Sequence, residues 1–136
     1  IMASIYDDIR AALETTLSSV TDIPSVGWEN VQFSPTTGQP YLKPRLIPTL
    51  REPAVRGINP QMLYQGIFRI ECYVPEGSGP AAGDDLADKI MEAFDATTTV
   101  SYNGANLSIR YAEREMAEID GPFYMIPVNI GWYIYS

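Results

Sequence analysis

Apolar and polar positions along the chain alternate with two different periods, and the switches between them outline the elements. Ile5, Ile9, Ala12, Leu13, Leu17 and Val20 recur at helical steps, predicting an amphipathic helix that begins after Ser4 and ends before Ile23-Pro24. Asp7 and Asp8 sit in its first turn, where carboxylates meet unpaired N–H groups. Val26 to Phe33 reads as a short strand carrying Trp28. From Tyr41 to Arg51 the period drops to two: Leu42, Leu46 and Leu50 share a parity with Pro44 and Pro48. Proline cannot donate to a ladder, so this strand belongs at an edge or is bulged. The clearest alternation runs from Leu63 to Val74. Tyr64, Gly66, Phe68, Ile70, Cys72 and Val74 fall on one face, with Gln65, Arg69 and Glu71 on the other.

A second helix follows, with Leu86, Ala87, Ile90, Met91 and Phe94 on one stripe. Thr97 to Tyr102 and Ala105 to Tyr111 flank Asn103-Gly104, a pair suited to the positive φ angles of a type I′ hairpin turn. The run "RYAEREMAEID" suits strand or helix; its strand neighbours favour a strand broken near Asp120-Gly121. Phe123 to Tyr135 alternates again, with Tyr124, Ile126, Val128, Ile130, Trp132 and Ile134 opposed to Met125, Asn129, Tyr133 and Tyr135. The order of helix, three strands, helix and three or four strands implies an α+β fold. It combines an antiparallel or mixed β-sheet with two helices packed on it.

Length predicts one domain over residues 1–136, with Ile1 before Met2 read as a tag remnant. Two segments are turn chemistry. "SPTTGQP" has nothing apolar to bury. "EPAVRGINPQ", residues 52–61, is longer than a hairpin needs, and long loops in compact domains tend to carry function. Arg51, Glu52, Arg56, Asn59 and Gln61 are therefore the candidate contact residues for a copy or partner, with an idle loop as the alternative.

Composition narrows the chemistry. The net charge of −8 opposes free-standing binding to nucleic acid, whose affinity comes from counterions released around Lys and Arg. Nine Tyr and two Trp suit surfaces that a partner later covers. Cys72 is the single cysteine, so no internal disulfide and no CxxC site can form, and its parity makes it a buried small hydrophobe. Histidine is absent, which removes the commonest general base and zinc ligand. No apolar run approaches a membrane span and no signal peptide is evident, so the expected setting is a reducing cytoplasm.

One stretch invites a ligand. The strand ending at Val74 runs into Gly77-x-Gly79-x-x-x-Gly83 and a helix, the layout of a nucleotide-binding turn. Glu76, Asp84 and Asp85 would repel a phosphate there, and Pro80 removes an N–H where an anion would want one. The expectation is a plain corner whose helix is capped by its own carboxylates. Asp84, Asp85 and Asp88, like Glu113, Glu115 and Glu118, read as solvated acidic faces rather than metal clusters. No general acid, base and oxyanion donor assemble, so neither catalysis nor a cofactor is expected.

Residues 66–95 resemble the tail terminator-like proteins of long-tailed bacteriophages and prophages. The shared features are a Val-Pro-x-Gly-x-Gly turn and a Leu-Ala-Asp-x-Ile helix core with a late Phe. Here these are Val74, Pro75, Gly77, Gly79, Leu86, Ala87, Asp88, Ile90 and Phe94. The first helix, an aromatic near position 28, "YLKPRLIP" and the aromatic last strand lie in matching order, so the likeness covers nearly the whole chain. The resemblance implies a structural, non-enzymatic virion protein of the tail or neck, made in the host bacterial cytoplasm. It implies a ring, commonly a hexamer, that caps the tail tube, stops its polymerisation and meets the head-completion protein. Genome DNA would pass through without specific binding, and no membrane is involved. The alternatives are another head–tail connector or neck protein, and a small-ligand-binding module using the Gly77–Gly83 turn.

Overall fold

Leu46, Phe68, Ile130 and Ala112 form one row across four neighbouring strands, and the fold is arranged around the apolar face they share. The computed structural model describes residues 5–36, 38–54, 61–77, 79–95 and 99–136. Within them, helix α1 (Ile5–Ser18) precedes strands β1 (Ser25–Val26), β2 (Tyr41–Pro53) and β3 (Met62–Pro75). Helix α2 (Ala81–Ala93) is followed by β4 (Thr99–Tyr102), β5 (Ala105–Arg114), β6 (Glu118–Asp120) and β7 (Phe123–Tyr135). The sheet runs β1-β2-β3-β7-β5-β4, with β6 beside β7. β1 lies parallel to β2 and every other pairing is antiparallel, so the sheet is mixed and the fold is α+β.

Both helices pack on the same face. Ile9, Ala12, Leu13 and Leu17 of α1 and Ala87 and Ile90 of α2 are fully buried in one cluster with Leu42, Phe68, Ile70, Cys72, Ile126, Val128 and Ile130. Each buried Leu, Ile, Val or Phe side chain contributes about 1.5–3 kcal/mol on removal from water, which outweighs the weak helix propensities of the segments. Gly83 lets α2 approach β7 closely, since a Cβ there would stand 2.8 Å from Ile126 Cδ1. Gly66 is required at the sheet centre for the same kind of reason. An added Cβ would meet Ile47 O at 2.4 Å and Trp132 Cζ2 at 2.7 Å.

β2 meets both expectations raised by its prolines. It lies near the edge, and its register shifts between Pro48 and Leu50. Leu42 O accepts from Gly27 N, and Leu46 N donates to Glu29 Oε1, so the even positions turn their backbone groups outward. Pro44 and Pro48 share that parity and leave no N–H exposed to recruit a stray strand. The Asn103-Gly104 turn adopts the two positive φ angles expected of it, 51° and 86°.

Four expectations need correction. The strand expected over Val26–Phe33 is only the two residues Ser25–Val26. A turn with left-handed Asn30 (φ 59°) ends extended pairing beyond it. The segment 110–120 is strand, but it breaks at Glu115–Ala117 as well as turning at Gly121. Pro127 of β7 explains that break: its carbonyl accepts from Glu115 N, and on the same side it has no N–H to return. Met125, assigned to the polar face, is buried on that face in a second cluster with Tyr41, Tyr73 and Phe123. Finally, α2 begins at Pro80 with no side-chain capping hydrogen bond.

Candidate assembly surface

The glycine corner is the first place to look for a ligand. Gly77 (φ 88°) and Gly79 (φ 83°) have nothing within 4 Å of where a Cβ would stand. They serve a left-handed backbone and leave no cradle closed around a phosphate. Glu76 N donates to Pro122 O at 2.9 Å, which ties the corner to the β6–β7 turn. Asp84 does not cap α2. Its Oδ1 accepts from Arg114 Nη1 of β5 at 2.6 Å, joining the helix start to the sheet. Asp85 and Asp88 are exposed on the helix. Among the described residues no three His, Cys, Asp or Glu side chains gather as a metal site would require.

Cys72 is fully buried, and burial pushes its thiol up to about 12. At neutral pH it is a packed thiol rather than a nucleophile.

The candidate contact residues divide. Arg51 and Glu52 close β2, and Gln61 immediately precedes β3. Ala54 N donates to Gln61 O at 2.8 Å, while Met62 and Ser136 exchange both backbone hydrogen bonds at 2.8 and 2.9 Å. The base of the loop is thus held against the end of β7. Arg51 turns back to the body: its Nε donates to Tyr64 Oη at 3.4 Å, and its guanidinium lies 5.7 Å from the Tyr64 ring centroid. Tyr6 of α1 meets Tyr64 edge-on at 5.5 Å. Arg56 and Asn59 lie outside the described residues.

The broad feature that the sequence reading did not single out is the face of the sheet opposite the helices. At one end Tyr41 and Tyr73 stack at 4.3 Å between centroids, and Phe123 stands edge-on to both. Burial pushes the Tyr73 phenol above its usual range, aided by the nearby Glu71. The middle is charged. Arg69 pairs with Glu71 and Glu115, and Asn129 donates to the same Glu115 oxygen at 2.9 Å. The hydrogen bonds from Asn129 and Arg69 hold the Glu115 carboxyl below its ordinary value. Lys43 and Arg45 of β2 stand exposed on this face. Toward the other end Ile47, Ile67, Tyr111 and Tyr133 are half-buried, and Arg110 at the β5 bulge lies 4.7 Å above the Tyr133 ring centroid. Tyr111 covers Gly131, where a Cβ would strike its ring at 2.3 Å. The odd positions of Tyr41–Ile47 and Ile67–Tyr73 carried this signal, but a search for catalytic groups passes over it.

At the open edge, Glu29 supplies a carboxylate where a strand would otherwise pair. Its Oε1 accepts from Arg10 Nη1 at 2.8 Å and from Leu46 N at 2.9 Å. Burial opposes ionisation there, but those two hydrogen bonds and the Arg10 and Arg45 charges outweigh it and keep the carboxyl below its ordinary value. Beside it lies a cleft of about 240 Å³, lined by Trp28, Glu29, Phe33, Lys43, Arg45 and Glu71 among others. It opens to solvent along the strand edge and brings no set of reacting groups together.

No described helix is long and apolar enough to cross a membrane. The chain has no significant match among curated proteins. One solved structure superposes with a TM-score of 0.76 at 23% identity, covering 98% of this chain and 97% of its own. A component of the virion of a native gene transfer agent particle superposes with a TM-score of 0.65 at 13% identity, covering 99% of this chain and 100% of its own. At these identities both likenesses concern the fold. The family model described as phage tail terminator protein matches residues 8–132. The chain therefore belongs to the phage tail terminator family, a structural, non-enzymatic family of virion tail components that cap the tail tube.

Proposed function

We propose that this single-domain chain ends tail-tube growth as a ring of identical copies, commonly six in the family it resembles. One side of the ring meets the last tube subunits. The other meets a head-completion protein, forming the tail side of the head–tail joint. Synthesis in the host bacterial cytoplasm precedes assembly, and genome DNA passes through without specific binding. The family match over residues 8–132 is the observation that carries this reading. The net charge of −8 supports it, because an acidic protein does not hold DNA.

The loop whose base is held by Ala54, Gln61 and Ser136 is the proposed partner contact, through Arg51, Glu52, Arg56, Asn59 and Gln61. Cations on a rim act mainly on encounter and register. Negative-stain imaging of purified tubes mixed with the protein tests the reading. Ring-shaped caps that then bind a purified head-completion protein are the expected result. Bare tube ends at saturating protein would exclude termination, and caps that ignore the head-completion protein would exclude the joint.

A further inference from the structure

One edge of the sheet carries a projection and the other a cleft. The break at Glu115–Ala117, set by Pro127, turns Met116 out to solvent, and Ile119 of β6 follows three residues later. Met116 is 86% exposed and Ile119 60%. Single bare apolar side chains are ordinary, but these two share one short projection. At the opposite edge the cleft beside β2 is walled by Trp28, Val31 and Phe33 and rimmed by Lys43 and Arg45. The two features are level along the strands. Lys43, Glu71 and Pro127 stand in one row across β2, β3 and β7, and Pro127 O accepts from Glu115 N at the far end of it. A neighbouring row joins Tyr41, Tyr73, Met125 and Glu118.

Charge differs between these edges. By the cleft stand the cations Arg10, Lys43, Arg45 and Arg69 against Glu14, Glu29 and Glu71. Arg10 engages Glu14 and Glu29, and Arg69 engages Glu71 and Glu115. Lys43 and Arg45 have no carboxylate within ion-pair distance among the described residues, although Arg45 adds its charge near Glu29. Further along β2, Arg51 and Glu52 offset each other. The opposite edge has Arg110 and Arg114 against Asp84, Glu113, Glu115, Glu118 and Asp120. Arg114 engages Asp84, and Arg110 lies over the Tyr133 ring. Glu113, Glu118 and Asp120 are exposed and carry no ion pair among the described residues.

We infer that the Met116–Ile119 projection of one copy docks into the Trp28–Phe33 cleft of a second copy of this chain, with Glu118 and Asp120 meeting Lys43 and Arg45. The inference rests on the ring reading above and names its copy-to-copy contact. Unbranched, polarizable Met116 suits an irregular cleft with aromatic walls. The charges set the register of the two edges. The contact is made by side chains, because Pro44 and Pro48 leave the β2 edge without the N–H groups an added strand needs. It joins two different surfaces and is therefore heterologous. Such a contact repeats from copy to copy and closes into a ring when projection and cleft stand at one height along the ring axis. The shared rows give that height when the strands run along the axis.

Cysteine pairs test the contact directly, because the single native cysteine, Cys72, is buried. Met116→Cys and Val31→Cys both replace exposed side chains. A chain with both, treated with a short bismaleimide in solution or on tube ends, is expected to give a ladder of linked copies on denaturing gels. An equimolar mixture of the two single variants gives pairs only, and either variant by itself gives none. Lys43→Glu/Arg45→Glu and Glu118→Lys/Asp120→Lys each weaken association roughly tenfold or more at low salt. One chain carrying all four reversals assembles again, because the matched signs are exchanged. Rings or caps that form without a ladder would overturn this contact while leaving the ring reading intact. Pairs from Met116→Cys alone would overturn it too, since they need a two-fold arrangement, as would a fourfold reversal as weak as its parents. A wild-type chain that stays monomeric both free and on tubes would contradict the ring and the contact together.

Discussion

Arg114 on β5 holds Asp84 at the start of α2 through a 2.6 Å hydrogen bond, so the glycine-rich corner is braced against the sheet by a charge pair. The carboxylate that a phosphate would have to displace is already engaged, and Gly77 and Gly79 face open space. Titration with nucleoside triphosphates in calorimetry is expected to give no binding heat. Arg114→Ala is expected to cost about 0–1 kcal/mol in urea melts, because the pair is partly exposed. A measurable nucleotide affinity that Gly77→Val removes would reinstate the corner as a site.

Gly66 and Gly77 are expected to respond differently to the same substitution. Gly66→Ala forces a Cβ against Ile47 O and Trp132, so overpacking should cost about 1–3 kcal/mol or more. Gly77→Ala meets no atom and pays only for its left-handed backbone, roughly 1–2 kcal/mol. Parallel denaturant melts of the two variants decide the ranking. A Gly66→Ala protein as stable as wild type would mean that β2 and β7 can move apart at the sheet centre.

Glu29 ties α1 to the edge of β2. Hydrogen bonds to a charged group contribute about 1.5–3 kcal/mol, and partial exposure lowers the expected cost of Glu29→Ala to about 1 kcal/mol at neutral pH. The sign of the pH effect follows from its lowered folded pKa. Glu29 stabilises fully above the unfolded value near 4.5 and loses that contribution as pH falls through the folded value. Glu14 acts oppositely: burial raises its pKa, so its linkage favours the folded chain at low pH and fades as pH rises. The wild-type advantage over Glu29→Ala is therefore expected to shrink below pH 4.5 in melts across pH. An advantage unchanged at pH 3 would place the effect in packing.

Cys72 is expected to report global unfolding. With its thiol raised to about 12 and no exposed surface, a disulfide reagent should react with the native chain roughly a hundredfold or more slowly than with the unfolded chain. Rapid labelling of the native protein would reveal opening of β3 from its helices.

The inner half of this fold was legible in the sequence because burial writes a period there. The α1 stripe, the Tyr64–Val74 alternation, the Asn103-Gly104 turn and the doubly marked β2 all follow from it. What escaped depends on partners distant in sequence. The break at Glu115–Ala117 is set by Pro127 on the neighbouring strand. Met125 is buried because Tyr41, Tyr73 and Phe123 converge on a face that alternation alone marks as polar. Asp84 looked like a cap because helix-start statistics carry no knowledge of Arg114. The outer face escaped for another reason: it is built of ordinary charges and aromatics, and only their arrangement across neighbouring strands sets it apart.

The central claim is that this chain acts by docking on the tube end and changes no covalent bond. The direct measurement is the length distribution of tail tubes polymerising from purified tube protein as this chain is added. The account predicts that elongation stops at a length fixed by the time of addition, with saturation near one cap per tube end. Tubes that keep lengthening at saturating protein would contradict it.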